Sequence, residues 1–160
     1  MLLVIVPRHP QRFDEVAALV AARGWSLQRR SALIDDSVAS QVLLGDSMGE
    51  MFGYYAACDV AFIGGSLLPL GGQNLIEACA LGKPVLIGPH TFNFALVTEE
   101  AISAGAALCV KDNIELVSIA EKLLVDDALR GRMGVAALAF ADRHKGATAR
   151  TVGLLRHMIF

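Results

Sequence analysis

The sequence is poor in aromatic side chains, in net charge and in cysteine, and each shortage excludes something. Phe, Trp and Tyr make up 6% of the 160 residues. A platform that stacks unpaired bases needs several aromatics along a groove, so single-stranded nucleic acid is not the expected partner. Fourteen Lys and Arg stand against sixteen Asp and Glu, for a formal net charge of −2. No basic face is on offer to a phosphate backbone. The three cysteines, Cys58, Cys79 and Cys109, are odd in number and widely spaced, which fits neither a disulfide framework nor a zinc site. Each sits in an apolar segment and is expected to be a buried, reduced thiol.

Charged residues are also few, at 19%, while hydrophobic residues reach 54%. This excludes a disordered chain. It also raises the question of a membrane span. The longest uncharged run, residues 60–76, is broken by Gly64, Gly65, Pro69, Gly71 and Gly72 and carries Gln73 and Asn74. A spanning helix needs about 20 mainly apolar residues, so this run reads as a loop between two short apolar segments. The opening MLLVIVPRHP lacks the charged start of a signal peptide, and its apolar run stops at Pro7. It reads as a buried strand, and the chain as cytosolic. At about 100–200 residues per domain the length suits a single domain, 1–160. No repeat, low-complexity segment or linker interrupts it.

What is present is an alternation of short apolar runs with helical periodicity. Strands are expected at residues 2–6, 25–30, 42–44, 60–63, 85–87 and 107–110. Helices are expected at 13–22, stopped by Gly24, and at 74–81, stopped by Gly82. Ser47 and Glu50 have the capping-box spacing and open a helix to about Ala57. Thr98 is expected to cap a helix ending near Gly105, and Asn113 another running to about Val125. Two further helical segments follow to the end. Strands alternating with helices imply βαβ units and a parallel sheet. Strands covered on both faces read as unbroken apolar runs, which accounts for the mean hydropathy of +0.51 without a membrane. The fold class is α/β, a Rossmann-like three-layer α/β/α domain with about six parallel strands.

In such sheets ligands lie at the carboxyl ends of the strands, and four loops there carry unusual residues. Pro7-Arg8-His9-Pro10 places an Arg fork suited to phosphate or carboxylate; the alternative is a solvated turn with His9 bonded to backbone. Gly45-Asp46-Ser47-Met48-Gly49-Glu50 offers backbone N–H groups at a helix start, and Gly49 admits close approach of a ligand. Glu50 either completes the capping box or touches the ligand. The strongest signal is the glycine-rich loop 64–72 running into Gln73-Asn74-Leu75-Ile76-Glu77. Free N–H groups and the helix dipole favour an anion there. Asn74 and Glu77, three residues apart, face one side, so one can hold phosphate while the other accepts from a sugar diol. The alternative is a glycine turn with a polar helix start. The loop has neither the Walker A nor the G-x-G-x-x-G spacing. Finally, Gly88-Pro89-His90-Thr91-Phe92-Asn93-Phe94 is either a sugar-contacting loop, through His90 and Asn93, or a loop anchored by its aromatics. Asp35-Asp36 and Asp126-Asp127 read as helix-start charges. No nucleophile elbow is present.

The run GGSLLPLGGQNLIEACALGKPVLIGPHTFNF, with VPRHP before it and GDSMGEM between, resembles the C-terminal half of bacterial 3-deoxy-D-manno-octulosonic acid (Kdo) transferases. These are glycosyltransferases of the GT-B architecture. The resemblance covers nearly the whole chain and is clearest from Val6 to Asn93. It implies a donor-binding domain for CMP-Kdo, with Pro7, Arg8, Ser47, Met48, Gly49, Glu50, Gly71, Gly72, Gln73, Asn74, Leu75, Ile76 and Glu77 in the donor site. Asn74 would lie by the phosphate and Glu77 would take the ribose hydroxyls.

It further implies an N-terminal acceptor domain, absent from this chain, that binds the lipid A precursor at the cytoplasmic face of the inner membrane and supplies the catalytic base. No catalytic residue is expected within these 160 residues, and no cofactor or metal is implied. The isolated domain is expected to be soluble and inactive. The family commonly has His where this chain has Gln73, which keeps a donor but carries no proton near neutral pH. Competing readings are another GT-B donor domain or an epimerase using a UDP-sugar, a flavodoxin-like binding module, and an interaction scaffold.

Overall fold

Six strands and six α-helices alternate along the chain in the computed structural model, which describes residues 1–33, 38–145 and 152. They fall into two compact units, Met1–Tyr54 and Tyr55–Phe160.

The first unit holds β1 (Leu3–Ile5), α1 (Phe13–Ala21), β2 (Leu27–Arg29) and β3 (Val42–Leu44). The strands are parallel in the order β1-β3-β2, with Ile5, Leu44 and Arg29 in register. β3 is wholly apolar and buried throughout, as a middle strand should be, while β1 and β2 are partly exposed. α1 ends where the sequence predicts. The Gly24 N–H reaches back to the Ala21 carbonyl at 2.9 Å, and the Trp25 N–H to that of Val20 at 3.4 Å. Because all three strands run the same way, their carboxyl ends release Arg8, Arg30 and the 45–50 loop at one edge of this sheet.

The division between the units falls within α2 (Met51–Ala57). The second unit continues with β4 (Ala61–Ile63), α3 (Ile76–Ala80), β5 (Val85–Ile87), α4 (Ala95–Ser103), β6 (Ala107–Cys109), α5 (Asn113–Val125) and α6 (Asp127–His144). Its strands are parallel in the order β4-β5-β6, with Ile63, Ile87 and Cys109 in register. Again the middle strand, β5, is buried at every residue. Leu86 lies in a core with Val110, Leu123 and Met133, against which Leu67, Leu108 and Ile119 pack. Each such side chain, fully removed from water, contributes roughly 1.5–3 kcal/mol. α6 packs along α3 and α5. The carboxyl ends of β4 and β5 release the 64–75 and 88–94 loops. Among the described residues no helix is long and apolar enough to cross a membrane.

The six parallel strands are as expected, arranged as two three-stranded sheets. Several local expectations are corrected. α2 opens at Met51, so Ser47 is too far upstream to cap it. Its hydroxyl donates instead to the Glu50 carboxylate. The helix expected from residue 74 opens at Ile76. Thr98 does not cap α4 but lies buried inside it, because the turn closed by the Phe94 N–H on the Thr91 carbonyl (2.7 Å) starts the helix earlier. The cap of α5 is Asp112, not Asn113: its carboxylate accepts from the Glu115 N–H at 2.8 Å.

Asp126 caps α6 in the same way, at 2.8 Å from the Leu129 N–H, and Asp127 pairs with Arg130 in the first turn, both as expected. Asp35, Asp36 and the last expected helical segment lie outside the described residues. All three cysteines are free, but only Cys79 is buried; Cys58 is half-buried, and Cys109 is exposed at the end of the outer strand β6. Phe62 on the outer strand β4 is likewise 39% exposed.

Candidate functional site

Within the first unit, the three strand ends carry a set of charged and hydroxyl side chains. Arg8 is exposed just beyond β1, with Pro7 half-buried before it. Arg30, the residue after β2, donates from Nη2 to Glu50 Oε1 at 3.0 Å. Glu50 also accepts from Ser47 Oγ, which lies 3.0 Å from the Tyr54 hydroxyl. The Ser47 hydroxyl and the Arg30 guanidinium hold the Glu50 carboxyl below its usual value. Met48 and Gly49 are exposed beside it, and nothing lies within 4 Å of where a Gly49 Cβ would stand. Arg30 escaped the sequence reading. Its signal was its position, one residue past a strand end in a parallel sheet.

A second carboxylate braces the same loop. Asp46 accepts from the Ser31 N–H at 2.9 Å and from Ser31 Oγ at 2.7 Å, with Arg29 Nη1 3.7 Å away. Burial pushes the Asp46 carboxyl up, but the Ser31 hydrogen bonds and the Arg29 charge outweigh it and hold the group below its usual value. The chain leaving β2 is thereby tied to the chain leaving β3.

Within the second unit the glycine-rich loop folds back on itself. The Gly72 N–H donates to the Gly65 carbonyl at 3.0 Å, and the Asn93 N–H reaches the Gly71 carbonyl at 3.3 Å. Gly71 has φ +89°, and a Cβ there would stand 2.2 Å from Asn93 Nδ2. The backbone conformation favours glycine, and a Cβ would also push the Asn93 amide aside. Gly71 and Gly72 are buried; Gln73 and Asn74 are half-buried, and Leu75 is buried as the anchor beneath them.

Asn74 Oδ1 accepts from the Ile76 N–H at 3.0 Å, and its Nδ2 donates to Glu77 Oε1 at 3.4 Å. The two residues do share a side, as their spacing predicts. The Ile76 N–H, expected to be open to an anion, is already taken, whereas the Asn74 amide has a second hydrogen left to donate. Below Glu77, the Tyr55 hydroxyl is pushed up to about 12 by burial and by the Glu77 charge, so it stays protonated. His90 is half-buried and Asn93 exposed; of the aromatics in the same loop, Phe92 is 65% exposed with its ring edge beside Gly71, and Phe94 is half-buried. Ser66, fully buried, accepts from the Gly88 N–H through its hydroxyl and from the His90 N–H through its carbonyl; it was also missed, its signal hidden within Gly-Gly-Ser.

Each unit thus presents polar groups at the carboxyl ends of parallel strands. The first offers carboxylate, guanidinium and exposed backbone; the second offers amide, carboxylate and a tight glycine turn. These are the groups that bind sugar hydroxyls and anionic esters.

No family model matches the chain. A 3-deoxy-D-manno-octulosonic acid transferase of Bordetella pertussis is 52% identical over 155 residues, covering 96% of this chain and 36% of that protein. The corresponding transferase of Haemophilus influenzae is 38% identical over 157 residues, covering 98% of this chain and 37% of that protein. The chain therefore spans little more than a third of these relatives. The crystal structure of the C-terminal CMP-Kdo binding domain of WaaA from Acinetobacter baumannii superposes with a TM-score of 0.82. It is 36% identical, over 87% of this chain and 72% of that one.

Proposed function

The chain belongs to the 3-deoxy-D-manno-octulosonic acid transferase family, and on that premise we propose that residues 1–160 are the domain that binds the nucleotide-sugar donor, CMP-Kdo. The observation that carries this reading is the similarity, in fold and in sequence, to a domain described as binding CMP-Kdo. The donor contacts in this reading are Pro7, Arg8, Ser47, Met48, Gly49 and Glu50 of the first unit. From the second come Gly71, Gly72, Gln73, Asn74, Leu75, Ile76 and Glu77, with His90 and Asn93 toward the sugar. Glu77, steadied by Asn74, accepts from the ribose hydroxyls. The remaining Nδ2 hydrogen of Asn74 donates to the phosphate. Gln73 contributes a hydrogen bond and no proton, since an amide does not titrate near neutral pH.

The reaction of the whole enzyme is inverting transfer. A hydroxyl of the lipid A precursor, deprotonated by a base, attacks the anomeric carbon of Kdo; the bond to the phosphate oxygen breaks, and CMP leaves with the electron pair. Negative charge grows on the phosphate as that bond lengthens. A donor from Asn74, held by its bonds to Ile76 and Glu77, stabilises it without reorganising, which is where most catalytic stabilisation of this type arises. The part of the relatives that this chain does not span binds the acceptor and supplies the base, at the cytoplasmic face of the inner membrane.

Calorimetric titration with CMP, UMP, AMP and UDP tests the reading. CMP binds in preference, and Glu77→Ala weakens it by roughly 10- to 100-fold, the worth of about 1.5–3 kcal/mol for hydrogen bonds to a charged group. Preference for UDP would assign the chain to glycosyltransferases with other donors.

A further inference from the structure

We propose that Ser66 is a positioning residue for donor binding: its buried hydroxyl locks the glycine-rich loop after β4 to the loop after β5 and so fixes where Asn74 and Glu77 stand. The proposal rests on the donor-binding reading above. Ser66 is fully buried, and buried hydroxyls persist where both their donor and acceptor capacity are used. Here Oγ donates to the Ile63 carbonyl at 2.5 Å, at the end of β4, and accepts from the Gly88 N–H at 2.8 Å, just past β5. The Ser66 carbonyl accepts from the His90 N–H at 2.9 Å. One residue thus makes three bonds, and two of them cross to the neighbouring loop.

The contact leaves no slack. A Cβ on Gly88 would stand 2.3 Å from the Ser66 carbonyl oxygen, so only glycine lets the two backbones meet. The lock then propagates along the loop. Gly72 is tied to Gly65 at 3.0 Å and Asn93 to Gly71 at 3.3 Å, and Asn74 follows two residues after Gly72. No aliphatic side chain replaces both the donor and the acceptor. Removing the hydroxyl leaves the Gly88 N–H unmet and the two loops joined by the His90 N–H bond to the residue 66 carbonyl and the Asn93 N–H bond to Gly71, a looser hold.

The test is calorimetric CMP binding by the whole chain at a temperature well below its melting point. Asp112→Ala, which uncaps α5 and removes no bond of the 64–75 or 88–94 loops, serves as the comparison for lost stability. Ser66→Ala is expected to weaken CMP about tenfold or more, while Asp112→Ala leaves the affinity unchanged. A merely structural role would lower the melting temperature in both and move the affinity in neither. Should Ser66→Ala not fold, Ser66→Cys keeps the volume with a weaker donor and is expected to bind several-fold less tightly. CMP affinity equal to that of the unsubstituted chain, in whichever variant folds, overturns the proposal. No CMP binding by the unsubstituted chain overturns the donor-binding reading and takes this inference with it.

Discussion

Asp46 and Glu50 stand on one loop, yet their surroundings give them different work. Glu50 is held by Ser47 and Arg30 near the surface, with its side chain 39% exposed. Asp46, its side chain 5% exposed, is enclosed by Ser31 and Arg29 and serves the fold. Its carboxyl lies below the usual value in the folded chain. The stabilisation it brings is therefore complete above its unfolded pKa of about 3.9 and is lost as pH falls through the lower folded value. Urea unfolding of the native chain and of Asp46→Asn, followed from pH 7 down to pH 3, checks this. The native chain is expected to lose part of its advantage over the variant as pH drops below about 4. Curves that stay parallel over that range would show that Asp46 titrates alike folded and unfolded.

At the scale of the element, the helices show how caps are chosen. Asp112 and Asp126 both sit with extended or irregular backbone and reach the third N–H of the helix that follows. Asn113 has the right side chain, but it is already the first helical residue. Thr98 likewise is a good capping type placed four residues too late, since Phe94 precedes the first turn of α4. Its Oγ1 has no hydrogen-bond partner among the described residues.

Two substitutions separate these roles. Asp112→Ala is expected to cost ~1 kcal/mol, or about 2–4 °C in melting temperature for a chain of this size. Thr98→Val, which fills the same space without the unmet hydroxyl, is expected to be neutral or to stabilise by up to ~1 kcal/mol. Thermal melts of the two variants decide it, and a loss on Thr98→Val would show that the buried hydroxyl has a hydrogen-bond partner in the folded chain.

At the scale of the whole molecule, the features set by continuous apolar runs were legible in the sequence. Residues 42–44 and 85–87 were read to the residue, because a middle strand in a parallel sheet is buried on both sides and tolerates nothing polar. Outer positions such as Phe62 and Cys109 carry the same apolar letters with less burial, since an apolar side chain does not reveal whether a neighbour strand covers it. The glycine-rich turn and the Asn74–Glu77 pair were legible from local spacing alone. Arg30 and Ser66 were not, because their partners, Glu50 and Gly88, lie 20 and 22 residues away in sequence. Only the folded strand order brings them together.

Backbone amide NMR of the isotopically labelled chain, titrated with CMP, tests whether the loops at the strand ends carry donor contacts. Shifts are expected to concentrate at Met48, Gly49, Glu50 and residues 71–77, with α5 and α6 unmoved. Shifts confined to the α4 and α6 surface around Glu100 and His144, or none at saturating CMP, would contradict the donor-binding reading.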